Sequence, residues 1–150
     1  MSLKDLTKQV FLSYTRTERE LAEAIAEVLR AEGCGVWYDR ESIESGSKWK
    51  EELQEALDSS DSMIALLSPH AYSSSWVREE LQHALFEQRF KNRLLPVLTG
   101  GAELERFVRL PWILTRMPYV RIEPQDSMQR STKRIVREFH KLIEHSGETS

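Results

Sequence analysis

Short, continuously apolar runs alternate along this chain with longer stretches whose apolar residues recur at helical spacing, and few folds accept that alternation. Gln9 to Ser13, Val36 to Tyr38, Ser62 to Ser68, Leu94 to Leu98 and Tyr119 to Ile122 are the short runs. Each is bounded by polar or turn residues, as a strand buried on both faces is. Between the first two, Thr17 and Glu20 have capping-box spacing, and Leu21, Ile25, Val28 and Leu29 mark one helical face until Gly33 and Gly35. Trp49, Leu53, Ala56 and Leu57 mark a second helix. Pro69 breaks the third strand, and Trp76 to about Gln88 reads as a helix with Val77, Leu81, Ala84 and Leu85 on one side. Beyond the Gly100-Gly101 turn the pattern blurs through Leu104 to Leu114. A last helix contains Met128, Ile135, Val136, Phe139, Leu142 and Ile143.

Strands alternating with helices predict an α/β fold: a flavodoxin-like, doubly wound, mostly parallel five-stranded sheet with helices on both faces. At 150 residues the chain fits one domain, expected over residues 9–145 behind a short N-terminal lead (1–8) and before a frayed tail (146–150). The 21 Lys and Arg nearly balance 24 Asp and Glu, giving a net charge of −3, so neither nucleic acid nor an anionic membrane is an expected partner. No apolar run approaches the roughly 20 residues that span a bilayer. The N-terminus lacks the apolar core of a signal peptide, and the one cysteine, Cys34, can form no internal disulfide. Both features predict a cytoplasmic protein. Cys34 has no evident His partner and is expected to pack at the start of a strand.

Ligands of such sheets bind beyond the carboxyl ends of the strands. The segments to search are therefore Ser13 to Arg16, Asp39 to Ser47, Ser68 to Trp76 and Thr99 to Glu103. A dinucleotide-binding Rossmann turn needs glycines after the first strand, where Ser13-Tyr14-Thr15-Arg16 stands. The P-loop and G-x-S-x-G patterns are absent. A bacterial receiver domain looks for acidic residues where Ser13 stands and an aspartate where Ser68 stands. The four histidines have no ligand spacing, so no metal is expected.

Three segments remain, in order: Val10-Phe11-Leu12-Ser13-Tyr14; Trp37-Tyr38-Asp39-Arg40 through Ile43 and Gly46; and Leu66-Leu67-Ser68-Pro69 followed by Ser75-Trp76-Val77-Arg78-Glu79-Glu80-Leu81. Together they resemble the TIR (Toll/interleukin-1 receptor) family over about residues 8–145: its first box, its second strand with the following BB loop, and its W-x-x-x-E signature. The resemblance implies either an enzyme that cleaves NAD+ at the nicotinamide bond or an adaptor that only assembles. In the enzymes the glutamate of that signature is catalytic, which carries over to Glu80.

Helical phase separates Glu80 from its neighbour. At about 100° per residue Glu79 points away from the stripe of Val77, Leu81, Ala84 and Leu85, whereas Glu80 lies roughly 85° off its centre, at the margin. Trp76 stands one turn earlier on the same side. Glu80 is thus either a carboxylate leaning into a cleft or a surface charge, and the resemblance favours the first. One carboxylate suffices for this chemistry: glycosidases need a second to protonate a sugar oxygen, but nicotinamide leaves a pyridinium as a neutral molecule. What remains is to hold the ribose and stabilise an oxocarbenium-like centre.

The resemblance further implies substrate contacts from Ser13, Tyr14, Arg16, Trp37, Ile43, Ser68 and Trp76, with NAD+ as substrate and no resident cofactor. Tyr14 either touches the nucleotide or packs the loop; Arg16 pairs with a phosphate or is a surface charge; Trp37 stacks on a base or is core. Ser68 offers a hydroxyl beside the glutamate, or is one serine of a serine-rich loop. Asp39, Arg40, Ile43 and Gly46 belong to the loop that docks on a neighbouring TIR domain. The leading expectation is an NAD+ glycohydrolase or cyclase giving ADP-ribose or a cyclic isomer, in bacterial immune or antiphage signalling, activated by self-association and served by a separate sensor or effector. The alternative is a noncatalytic TIR–TIR interaction module or a bacterial mimic of host adaptors.

Overall fold

Val10, Phe11 and Leu12 are β-branched, aromatic and aliphatic residues with no polar residue among them to turn outward, and in the computed structural model they form the buried centre of strand β1 (Gln9–Ser13). The structure describes residues 2–14, 16–37, 49–72, 92–103, 106 and 117–146. Along the chain these give α1 (Leu3–Leu6), β1, a 3-10 turn (Arg16–Glu18), α2 (Arg19–Ala31), β2 (Gly35–Trp37), α3 (Trp49–Ser59), β3 (Ser62–Leu67), a 3-10 turn (Pro69–Ala71), β4 (Leu94–Leu98), β5 (Val120–Arg121) and α4 (Met128–Ser146). The expected helix from Trp76 and the loop from Asp39 to Ser47 lie outside the described residues.

The sheet is parallel throughout, in the order β2-β1-β3-β4-β5. Every residue of β3 and β4 is buried. Pro96 survives in β4 because of its phase. The Thr99 N–H donates to the Leu67 carbonyl on the β3 side, and the Leu98 carbonyl accepts from Ile122 on the β5 side. Pro96, in phase with Leu98, turns its nitrogen towards β5, whose ladder begins only at Val120 opposite Val97. Alternation splits the sheet into two faces. Val10, Leu12, Ile64, Leu66, Leu95 and Val97 share one core with α2 and α4, while Phe11, Met63, Ala65 and Leu67 fall on the opposite face, where α3 meets β1.

Three local expectations are corrected. Thr17 is not the N-cap of α2, because a 3-10 turn comes first and the helix begins at Arg19 with Glu18 at its N-cap. Val28 is 38% exposed. The buried stripe of α2 is instead Leu21, Ala22, Ile25, Ala26 and Leu29, whose centre lies well round the helix from Val28. Gly35 opens β2 rather than closing α2, its N–H bonded to the Lys8 carbonyl at 2.8 Å. The N-terminal lead also carries structure: Leu3 of α1 is 1% exposed and belongs to the core. The last helix extends to Ser146, with Met128 exposed at its start.

At the amino ends of the strands Arg93 gathers several segments. Its Nε donates to the Asp61 carbonyl (2.7 Å), Nη2 to the Leu6 carbonyl (2.6 Å) and Nη1 to the Ser146 hydroxyl (2.9 Å). Asp61 in turn accepts from the Lys8 N–H at 3.0 Å and from the Thr7 hydroxyl.

Candidate functional site

The opposite, carboxyl pole is built differently. Three neighbouring strands end there in hydroxyl residues: Ser13 on β1, Ser68 after β3 and Thr99 after β4. Ser13 is 2% exposed and Thr99 3%, yet neither side-chain oxygen has a hydrogen-bond partner among the described residues. Burying a hydroxyl unpaired costs about 1–3 kcal/mol, and folded chains rarely tolerate it without a reason. The orphan on β1 stands on the same face as Phe11, two residues earlier. Phe11 is in register with Trp37, and their rings stack at 4.8 Å between centroids and 14° between planes. The stack orients the half-buried Trp37 ring, and Ser13 continues that face towards the carboxyl edge.

Tyr14 follows the other phase. It is 6% exposed and packs in the core shared by α2 and α4. Arg16 opens the 3-10 turn directly after β1. Ser68 is buried, with extended backbone (φ −88°, ψ 169°), and Pro69 starts the next turn as its fixed φ favours. The structure thus brings Ser13 and Trp37 to one face and directs Tyr14 to the other. Asp39, Arg40, Ile43, Gly46, Trp76 and Glu80 lie outside the described residues.

The sequence reading assigned no role to Thr99 or Tyr72, and Tyr72 joins the loops after β3 and β4. The Tyr72 hydroxyl accepts from the Glu103 N–H at 2.9 Å, and the Arg106 guanidinium lies 5.4 Å above the Tyr72 ring centre. Gly100 takes φ +60° where an added Cβ would meet Pro69 Cδ at 3.4 Å. The signal was positional: both residues fall in segments flanking the carboxyl edge, but no residue type there advertises chemistry. No group of three or more His, Cys, Asp or Glu residues among those described is placed to hold a metal ion.

A model of the TIR domain matches residues 10–138. The chain belongs to the TIR domain family. It is 34% identical over 91 residues to the "NAD(+) hydrolase PdTIR" of Paracoccus denitrificans, covering 59% of this chain and 30% of that protein. It is 25% identical over 137 residues to the "Probable 2' cyclic ADP-D-ribose synthase TcpB" of Brucella abortus, covering 89% of this chain and 52% of that protein. The chain therefore spans between about a third and a half of the length of these two relatives. Among solved structures, the TIR domain of the Toll-related receptor TRR-2 from Hydra magnipapillata superposes with a TM-score of 0.62 at 20% identity, over 87% of this chain and 96% of that one. A TIR-STING receptor from C. gigas gives 0.64 at 24% identity, over 89% and 38%. These likenesses establish the flavodoxin-like TIR fold. No helix among the described residues is long and apolar enough to cross a membrane.

Proposed function

We propose that this TIR domain cleaves NAD+ between nicotinamide and ribose, with Glu80 as the catalytic carboxylate. The carrying observation is the family match over residues 10–138, with relatives named NAD+ hydrolase or cyclic ADP-ribose synthase. Nicotinamide departs with the electron pair of the broken bond, neutralising its own ring nitrogen, and positive charge develops on the ribose. The Glu80 carboxylate, hydrogen-bonded to ribose hydroxyls, stabilises that charge. Water then adds at the anomeric carbon and loses a proton to give ADP-ribose; attack by the adenine or by a ribose hydroxyl gives a cyclic isomer instead.

The unpartnered Ser13 hydroxyl supports this reading, since a buried donor at the carboxyl edge is satisfied by a polar ligand. Beside it Trp37, backed by Phe11, offers a fixed aromatic edge to a base. Arg16, Ser68 and Trp76 complete the substrate contacts, and Tyr14 supports the β1 end from the core. Asp39, Arg40, Ile43 and Gly46 form the loop through which neighbouring domains assemble, Ile43 also reaching the substrate. The activity serves immune or antiphage signalling, under the control of a separate sensor or effector.

The test is incubation of the concentrated chain with NAD+, with and without a crowding agent, followed by assay of nicotinamide, ADP-ribose and cyclic products. Glu80→Ala should lower product formation by roughly 100-fold or more, the scale on which a transition-state electrostatic group acts. Turnover per molecule should rise with protein concentration. Undiminished product from Glu80→Ala would remove Glu80 from the mechanism, and a silent wild type under crowding would favour a module that only assembles.

A further inference from the structure

On the exposed side of α4, Arg130, Lys133, Arg134 and Arg137 recur at i, i+3, i+4 and i+7, so four cationic side chains share one face over about 10.5 Å of helix. A cavity of about 490 Å³ opens on this face, lined among the described residues by these four with Ser127 and Gln129, and by no carboxylate. Like charges at this spacing repel. The first turn of α4 contains no acidic residue, so Arg130 also faces the positive end of the helix dipole, where a cation is disfavoured. Compensation is slight. Arg137 reaches Glu138 at 3.7 Å between solvent-exposed side chains, a weak pairing, and neither Arg130 nor Lys133 has an ion-pair partner among the described residues. Arg134 is held in place through Nη1, which donates to the Arg121 carbonyl at 2.6 Å and leaves other N–H groups for a ligand.

We propose that this cavity is a binding site for a small molecule carrying two linked phosphates. Guanidinium forks match phosphate oxygens, and a cationic span of about 10.5 Å exceeds what a single phosphate can neutralise. The volume falls in the range of small-molecule pockets, roughly 300–1,000 Å³, whereas the chain's net charge of −3 disfavours a long polyanion. The site is separate from the proposed NAD+ site: α4 packs with α2 on the Val10 and Leu12 face of the sheet, whereas Ser13, Phe11 and Trp37 stand on the opposite face.

Calorimetric titration of the whole chain with inorganic pyrophosphate, ADP and adenosine tests the proposal. Pyrophosphate and ADP should bind, more weakly as salt rises, and adenosine should not. Tighter binding of ADP than of pyrophosphate assigns a nucleotide, and equal binding assigns an inorganic polyphosphate. The double variant Arg130→Gln/Lys133→Gln should bind pyrophosphate at least tenfold more weakly while cleaving NAD+ as the wild type does. Arg134→Gln/Arg137→Gln gives a second, independent pair if the first melts early. Absence of binding to the wild type, or equal binding by both double variants, overturns the site. So does binding that is lost in Arg16→Ala and kept in the double variants, which would put the diphosphate at the NAD+ site. A wild-type dimer that binds no pyrophosphate and dissociates in the double variants would overturn it too, assigning the face to the exposed Glu20, Glu23 and Glu27 of a second copy.

Discussion

Cys34 lies between Gly33 and the first residue of β2 and is buried in the core beside α2. Burial pushes its thiol above the ordinary range, and the negative charges of Glu32 and Asp61 push it further. The folded chain therefore holds this proton to a higher pH than the unfolded chain does. Below the ordinary thiol range both states are protonated and stability is indifferent to pH; between that range and the raised value the unfolded state binds fewer protons, so stability falls as pH rises. Thermal melts across this alkaline window should show a decline in the wild type that is shallower in Cys34→Ala, and a thiol reagent should label Cys34 only on unfolding. The place of Cys34 at a strand start was legible because the apolar run from Val36 follows it and no histidine stands nearby in the sequence. The partnerless hydroxyls of Ser13 and Thr99 were not, because a serine or threonine after a strand is ordinary and only burial makes it unusual.

At the scale of elements, α2 shows which signals act locally. It ends in a Schellman motif: the Gly33 N–H donates to the Arg30 carbonyl and the Cys34 N–H to the Leu29 carbonyl, each at 3.0 Å, with Gly33 at φ +92°. An alanine there meets the left-handed penalty and brings Cβ to 2.9 Å from Lys4 Cδ. Gly33→Ala should cost about 1–2 kcal/mol, read by denaturant titration. This stop was legible because only the backbone of a few residues decides it. The helix start was not: Thr17 and Glu20 have the right spacing, yet the chain leaving β1 takes a 3-10 turn first and shifts the N-cap to Glu18. At α4 the reverse holds, since Ser127 caps the helix by accepting from the Arg130 N–H at 3.1 Å without any flagged motif. The centres of β1, β3 and β4 were read correctly because burial on both faces leaves no polar residue inside them; strand ends moved by a residue or two, as with Tyr119, which is exposed and precedes β5.

Taken whole, the molecule separates its poles. Arg93, with Asp61 and Thr7, joins the approach to β1, the start of β3 and the end of α4 at the amino ends of the strands, whereas the candidate site occupies the carboxyl ends. Arg93→Ala removes three hydrogen bonds from a charged donor and should cost about 2 kcal/mol, lowering the melting temperature by roughly 4–8 °C, with NAD+ cleavage at lower temperature little changed. Fold class follows from the alternation of apolar runs, which any helix-covered parallel sheet must show; the order β2-β1-β3-β4-β5 comes from pairings between distant segments that alternation does not mark. The Arg93 clamp was invisible beforehand because it joins segments far apart in the chain through backbone carbonyls, which no side-chain pattern marks. One guanidinium grips the Leu6 carbonyl and the Ser146 hydroxyl together, so the polypeptide enters and leaves the fold side by side. Anything joined before Leu6 or after Ser146 would leave from the amino ends of the strands, like cargo hung from a handle, away from the carboxyl ends that hold the candidate site.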